Sequence, residues 1–221
     1  MANMPSTSLN GQPATPAAWF ASPAGRALVD GEAAMLERVM AERPTPPWLW
    51  LAPVPCAPPD QACGRGLRLW ADGAGWRGAV RCEGALPFPS ESMGTVILQH
   101  VLRPDGGDGL LAEAARVLEP GGRLWLLVLN PLSPYRWRWR GHGLHAREPL
   151  GWRRRLRAAG LEPEPVSQGI GPGWRPHADS TLRSGPGLCA AYALRAEKRV
   201  AALTPVAPRR ALSVPKGASA A

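Results

Sequence analysis

Residues 94–130 read GTVILQHVLRPDGGDGLLAEAARVLEPGGRLWLLVLN, and this stretch decides the fold. Thr95-Val96-Ile97-Leu98 is β-branched and apolar with no polar alternation, the pattern of a strand covered on both faces, as in a parallel sheet. Asp108 then caps a helix in which Leu110, Leu111, Ala114, Val117 and Leu118 share one face, and Glu119-Pro120-Gly121-Gly122 stops it. Leu124 to Leu129 follows at once as a second buried strand. A strand, an amphipathic helix and a strand in this order form a right-handed βαβ unit, which places the chain in the α/β class.

The flanks extend that unit. Ser22-Pro23 has the form of an N-cap with proline at the first helical position, and Leu28, Met35, Leu36 and Val39 continue at helical spacing up to Pro44. Trp48-Leu49-Trp50-Leu51, bracketed by prolines, predicts a buried strand. Leu67–Trp70 and Ala79–Cys82 are weaker strand signals on either side of the turn Asp72-Gly73-Ala74-Gly75. Downstream the sequence predicts a helix over Glu148–Ala159, a strand over Glu162–Gln168, a Gly/Pro-rich loop over Gly169–Gly187 and a last strand over Leu188–Arg195. The expected architecture is a single Rossmann-like domain over residues 17–205, a mostly parallel seven-stranded sheet with helices on both faces. Residues 1–16 and 206–221, with few bulky side chains to bury, are expected to be a disordered lead-in and tail.

Composition narrows the function classes. No run approaches the roughly 18 to 20 apolar residues that span a bilayer, and the first sixteen residues lack the basic flank and apolar core of a signal peptide, so a cytoplasmic protein is expected. Cys56, Cys63, Cys82 and Cys189 have no C-x-x-C spacing, and His142 and His145, with no acid or thiol within two residues, read as an exposed loop and not as a closed metal shell. The formal charge is +9, but only Lys198 and Lys216 of the 26 basic residues are lysine. That arginine bias, with abundant Ala, Gly and Pro, resembles the product of a GC-rich coding sequence and weakens the inference from charge to nucleic acid.

Two strings carry a family resemblance: Leu86-Pro87-Phe88-Pro89-Ser90-Glu91-Ser92 with Gln99-His100-Val101-Leu102 after it, then Leu111-Ala112-Glu113-Ala114-Ala115-Arg116-Val117-Leu118-Glu119-Pro120-Gly121-Gly122. In this order and spacing they resemble the second half of the class I S-adenosylmethionine-dependent methyltransferase domain. Asn130-Pro131-Leu132-Ser133 and Ala191-Tyr192-Ala193-Leu194 resemble a smaller bacterial branch of it. The resemblance implies S-adenosylmethionine as cofactor, held across the carboxyl ends of the strands by a Gly-rich turn after strand one, an acid ending strand two and a polar residue after strand three.

The chain departs from that pattern at each place. Strand one runs into Ala52-Pro53-Val54-Pro55-Cys56-Ala57-Pro58-Pro59, where four prolines supply no N–H donors. Trp70 stands where the second acid is expected, with Asp72 as the substitute two residues on. Cys82 replaces the usual Asp, Glu83 follows it, and Gly94 replaces the acid that opens strand four. By resemblance, the cofactor side is assigned to Leu51, Ala52, Trp70, Glu83, Ala85, Leu86 and Gln99, the substrate side to Asn130, Tyr135, Arg136 and Arg138, and His100 is the candidate catalytic base, with a backbone-bonded structural histidine as the competing reading.

From Tyr135 to Arg157 the chain places eight Arg and three Trp in 23 residues, suited to stacking on bases, to a membrane interface or to an acidic substrate, and equally to a wet loop leading into a helix. Three functions are therefore expected to compete. The first is a methyltransferase of unassigned acceptor, small or anionic, with atypical cofactor binding. The second is a non-catalytic binding or scaffold protein on the same fold, and the third a nucleic-acid or membrane-surface binder acting through the Arg/Trp stretch.

Overall fold

The computed structural model of the chain describes residues 15–55, 65–73, 75–103 and 108–199. The expected tail, most of the lead-in and the segment Cys56 to Pro59 of the proline-rich turn lie outside the described residues. The βαβ unit is present as β5 (Met93–Gln99), α3 (Asp108–Val117) and β6 (Leu118–Leu129), with β5 and β6 parallel. Upstream lie α1 (Pro16–Ala21), α2 (Pro23–Glu42), β1 (Trp48–Ala52), β2 (Gly66–Asp72), β3 (Gly75–Gly78) and β4 (Cys82–Glu83). Downstream are a 3-10 turn over Pro134–Arg138, α4 (Pro149–Ala158), β7 (Leu161–Pro163), β8 (Gln168–Ile170), β9 (Arg183–Ser184) and β10 (Ala191–Lys198).

Among the described residues, ten strands form one sheet in the order β4-β3-β2-β1-β5-β6-β10-β8-β9, with β7 also pairing β10. Only β2-β1-β5-β6 are parallel; every other pairing is antiparallel. The sheet is thus α/β and Rossmann-like as expected, but larger and more mixed than seven mostly parallel strands. The turn at residues 72–75 is the reason at one edge. Asp72 pairs with Gly75, so the chain reverses on itself, whereas a parallel third strand would need a crossover of a dozen or more residues. The expected strand at Ala79–Cys82 is accordingly displaced to Gly75–Gly78 and Cys82–Glu83. At the other edge, the strand expected over Glu162–Gln168 splits into β7 and β8, and the expected loop holds β9.

Alternation along the central strands separates two cores. Leu49, Leu51, Val96, Leu98, Leu124, Leu126 and Val128 face α3 and α4, meeting Leu111, Ala114, Trp152 and Leu156. Trp48, Trp50, Ile97, Trp125 and Leu127 face α2 through Met35, Leu36, Val39 and Met40. Val128→Ala should cost roughly 1 to 3 kcal/mol, because it empties part of the first core at the central strand. A denaturant midpoint unchanged by that substitution would contradict this register.

Two close approaches explain residues that look anomalous in sequence. A Cβ on Gly94 would lie 2.2 Å from the Pro46 ring, so the opening of β5 admits no acid there. A Cβ on Gly25 would lie 2.2 Å from the Trp19 carbonyl oxygen, so glycine is what lets α1 fold back on α2. The Ser22 hydroxyl caps α2 by accepting from the Gly25 N–H. Thr15 caps α1 and Pro16 opens it, so these two residues belong to the folded domain and not to the lead-in. Trp19 and Phe20 of α1 are buried in a third cluster with Leu129, Tyr135 and Trp139.

Candidate functional site

The four parallel strands point their carboxyl ends the same way, and β1 has β2 on one side and β5 on the other. Ligands of open α/β sheets settle in the crevice where strand order reverses, here between the ends of β1 and β5. A cavity of about 1240 Å³ opens there. Pro53 and His100, the residues just past β1 and β5, line it with Ala71 and Gly73 from β2 and its turn, Gly84-Ala85 after β4, and Phe20 of α1. Val101, Leu102, Leu110, Leu144 and Trp152 make much of the remaining wall apolar. The volume exceeds the roughly 300 to 1,000 Å³ of a single small-molecule pocket, leaving room for a cofactor and an acceptor together.

A buried polar chain lies at the β5 end. Glu32 of α2 is 0 % exposed; its Oε2 accepts from Gln99 Nε2 at 2.6 Å and its Oε1 lies 2.8 Å from His100 Nε2. Gln99 Oε1 in turn accepts from Trp50 Nε1 at 3.0 Å. In the neutral ring, the tautomer that donates Nε2–H to this carboxyl oxygen carries its lone pair on Nδ1. That Nδ1 is buried and has no partner among the described residues, and the ring stacks on Phe20 with centroids 5.1 Å apart. His100 has φ +53, a left-handed conformation that costs a non-glycine residue about 1 to 3 kcal/mol and that turns the chain off the end of β5.

The two strings of the resemblance are clasped together at the cavity wall. Arg116 donates to the carbonyl oxygens of Leu86 and Phe88 at 3.0 and 2.9 Å, and the Leu86 N–H donates to Glu113 Oε2 at 2.9 Å. Arg116 also grips both oxygens of Glu113. The guanidinium hydrogen bond, first, holds the Glu113 carboxyl below the usual carboxylate range, helped by the Leu86 N–H. A depressed carboxyl pKa stabilises the fold above the unfolded-state value, and the contribution is lost as pH falls through the folded-state value, so the clasp loosens in acid.

Of the residues singled out from the sequence, Ala85 and His100 meet on the cavity. The others do not line it, each for a local reason. Leu51 is 0 % exposed in the α3 and α4 core, while Ala52 lies on the α2 side. Trp70 also packs toward α2, its ring 5.7 Å from the Arg68 guanidinium carbon. Asp72 is paired with Arg77 at 3.4 Å. Glu83 is exposed on the edge strand β4, one residue before the wall segment Gly84-Ala85. The Leu86 N–H is spent on Glu113, and the Gln99 amide on Glu32 and Trp50.

The proposed substrate side is largely structural. Buried Asn130 places Nδ2 within 3.2, 2.9 and 2.9 Å of the carbonyl oxygens of Pro186, Gly187 and Cys189, and its Oδ1 accepts from the Leu132 N–H. Tyr135 is buried and its hydroxyl donates to the Ala24 carbonyl; burial pushes its phenol pKa up. Arg136 and Arg138 are exposed. Glu32 is the site residue that the sequence reading missed. It sits four residues after Leu28 and four before Leu36 on the buried stripe of α2, and an acid at such a position signals a buried partner.

No family model matches the chain, and no curated protein matches it in sequence. Among solved structures, an S-adenosylmethionine-dependent methyltransferase of Thermotoga maritima superposes with a TM-score of 0.53 at 16% identity, covering 81% of this chain and 97% of that one. A methyltransferase of Haloferax volcanii, solved with the Trm112 methyltransferase activator, gives a TM-score of 0.50 at 14% identity over 84% of this chain and 98% of that one. The chain has the class I methyltransferase fold.

Proposed function

We propose that the chain binds S-adenosylmethionine in the cavity at the ends of β1 and β5 and methylates an acceptor admitted to the same space. The observation that carries this reading is the position of the 1240 Å³ cavity, which opens at the strand-order reversal of a class I methyltransferase fold. The residues present fit such a ligand in size and in apolar surface, with Phe20, Leu102 and Leu110 available to a purine and a thioether. They are thin in polar anchors. Pro53 offers no N–H after β1, the acid that lines the wall, Glu113, is held by Arg116 and the Leu86 N–H, Asp72 is paired with Arg77, and Glu83 stands at the rim.

When bound, the cofactor supplies an electrophilic methyl carbon on a sulfonium. The chain's own part is to hold the reactants together and exclude water, which suffices for much of the acceleration of such a transfer. An acceptor bearing O–H or N–H must also lose a proton. Nδ1 of His100, its ring fixed by Glu32 and lying on the cavity, is the group to take it.

Calorimetric titration with S-adenosylmethionine tests the reading. Each missing hydrogen bond is worth roughly 0.5 to 1.5 kcal/mol, so the loss of three weakens binding on the order of a hundredfold relative to a fully equipped site. The expected dissociation constant lies above the micromolar range, and Glu83→Ala should weaken it further, by about two- to tenfold. Submicromolar binding would refute the argument from missing anchors. No binding at any accessible concentration would favour the non-catalytic scaffold, the reading that the apolar wall and Pro53 otherwise support.

A further inference from the structure

Six large hydrophobic residues are exposed among the described residues, and four of them, Leu132, Trp137, Trp174 and Leu188, stand on two loops that hydrogen-bond to each other and together present one surface. Two loops build it. The first runs from Pro131 through the 3-10 turn to Arg140, the second over residues 172–189. Asn130 binds the second loop through three carbonyl oxygens, the Ser133 hydroxyl donates to the Leu188 carbonyl at 2.9 Å, and Arg138 reaches the Trp174 carbonyl at 3.4 Å. The apolar tips are therefore held on a fixed frame.

The charge on this face has one sign. Arg136, Arg138, Arg140 and Arg175 are exposed, and none is in an ion pair among the described residues. Residues 130–147 contain no Asp or Glu, and Asp179 of the second loop is paired with Arg183. The guanidinium carbons of Arg136 and Arg140 stand 5.6 and 5.2 Å from the Trp137 ring, which sets an indole between two cations at the surface.

We propose that this face docks the protein on the surface of an anionic lipid bilayer. Indole rings at headgroup level, aliphatic tips that enter the acyl boundary and arginines that meet lipid phosphates form the combination that binds an interface without spanning it. A nucleic acid would use the arginines but has no counterpart for Leu132 and Leu188, and the Trp137 ring it would stack on is already engaged by two guanidinium groups. No helix among the described residues is long and apolar enough to cross a membrane, so the attachment is to one leaflet. The first loop follows directly on β6 and leads, three residues past Arg140, into the cavity-lining segment Gly143-Leu144-His145, so the docking surface adjoins the cavity whether or not it takes a sulfonium cofactor.

The test is co-sedimentation of the full chain with vesicles of phosphatidylcholine alone or of phosphatidylcholine and phosphatidylglycerol in equal parts. The protein should sediment with the anionic vesicles only. Neutralising three arginines of the face together, Arg136→Gln, Arg138→Gln and Arg140→Gln, should weaken binding about a hundredfold, given about 1 kcal/mol per arginine at an anionic surface. Trp137→Ser with Leu188→Ser should abolish sedimentation while net charge is unchanged. A charge-matched control away from the face, Arg81→Gln, Arg154→Gln and Arg157→Gln, should retain most of the binding. Thermal melts of each variant exclude unfolding as the cause of any loss. Absence of binding to anionic vesicles, or an equal loss in the control, overturns the proposal. So does a single-stranded oligonucleotide that displaces the vesicles and whose own binding is lost in the Arg136/Arg138/Arg140 variant, which would make the face a nucleic-acid surface.

Discussion

Glu32→Ala is expected to lower stability by about 3 to 5 kcal/mol. The carboxyl group is 0 % exposed, and its two oxygens serve different partners, Gln99 Nε2 and His100 Nε2. Its removal strands both donors away from water, each at a cost of roughly 1 to 3 kcal/mol, and leaves a void in α2 beneath the cavity. The Trp50 contact weakens as well, because the Gln99 amide that accepts it loses its other anchor. Glu32→Gln keeps the volume and one acceptor oxygen, so it should cost clearly less. Guanidinium melts of both variants check the pair, and a loss below about 1 kcal/mol in Glu32→Ala would show that the network contributes little to the fold.

Asn130→Ala is the second large effect, about 2 to 5 kcal/mol. The side chain lies within hydrogen-bond distance of three carbonyl oxygens and receives one N–H, so truncation leaves several buried groups unsatisfied at once. Asn130→Asp should be worse than Ala, since it turns a donor into an acceptor against three carbonyl oxygens. Hydrogen exchange gives a local readout: protection of the Leu132 and Tyr135 amides, bonded to Asn130 Oδ1 and Ser133 Oγ, should fall in both variants. Unchanged protection there would mean that the two loops are held by something other than this residue.

Periodic segments were legible in the sequence, and conformations set by single contacts were not. The αββ-type patterns of α2, β1, β5, α3 and β6 come from burial on one or both faces, which writes itself into spacing; hence Ser22 and Asp108 mark helix starts correctly. Helix α1 has only six residues, too few to show a period, and it is seated by the Gly25 approach to Trp19. The turn Asp72–Gly75 was visible, but its consequence, an antiparallel return in place of a crossover, is a matter of topology. The Leu86-Pro87-Phe88 and Glu113–Arg116 strings could be recognised as a pair by spacing, yet their mutual hydrogen bonds required the fold.

The site was less legible for the same reason. Assignments by strand position placed Leu51, Trp70 and Gln99 beside a cofactor, whereas side-chain direction sends Leu51 into one core, Trp70 toward the other and Gln99 onto Glu32. Ala85 and His100 reach the cavity because each follows the end of a strand, where the chain is free to turn toward the opening.

The central claim is that the cavity between the ends of β1 and β5 is where S-adenosylmethionine binds. Titration of the wild type and of Ala85→Trp, side by side, addresses it most directly, because Ala85 is exposed on the cavity wall and an indole there occupies the space without disturbing the buried cores. The account predicts weak but saturable binding by the wild type, none by Ala85→Trp, and the same melting temperature for the two free proteins. Equal affinity in both proteins would contradict it and place the ligand elsewhere on the fold.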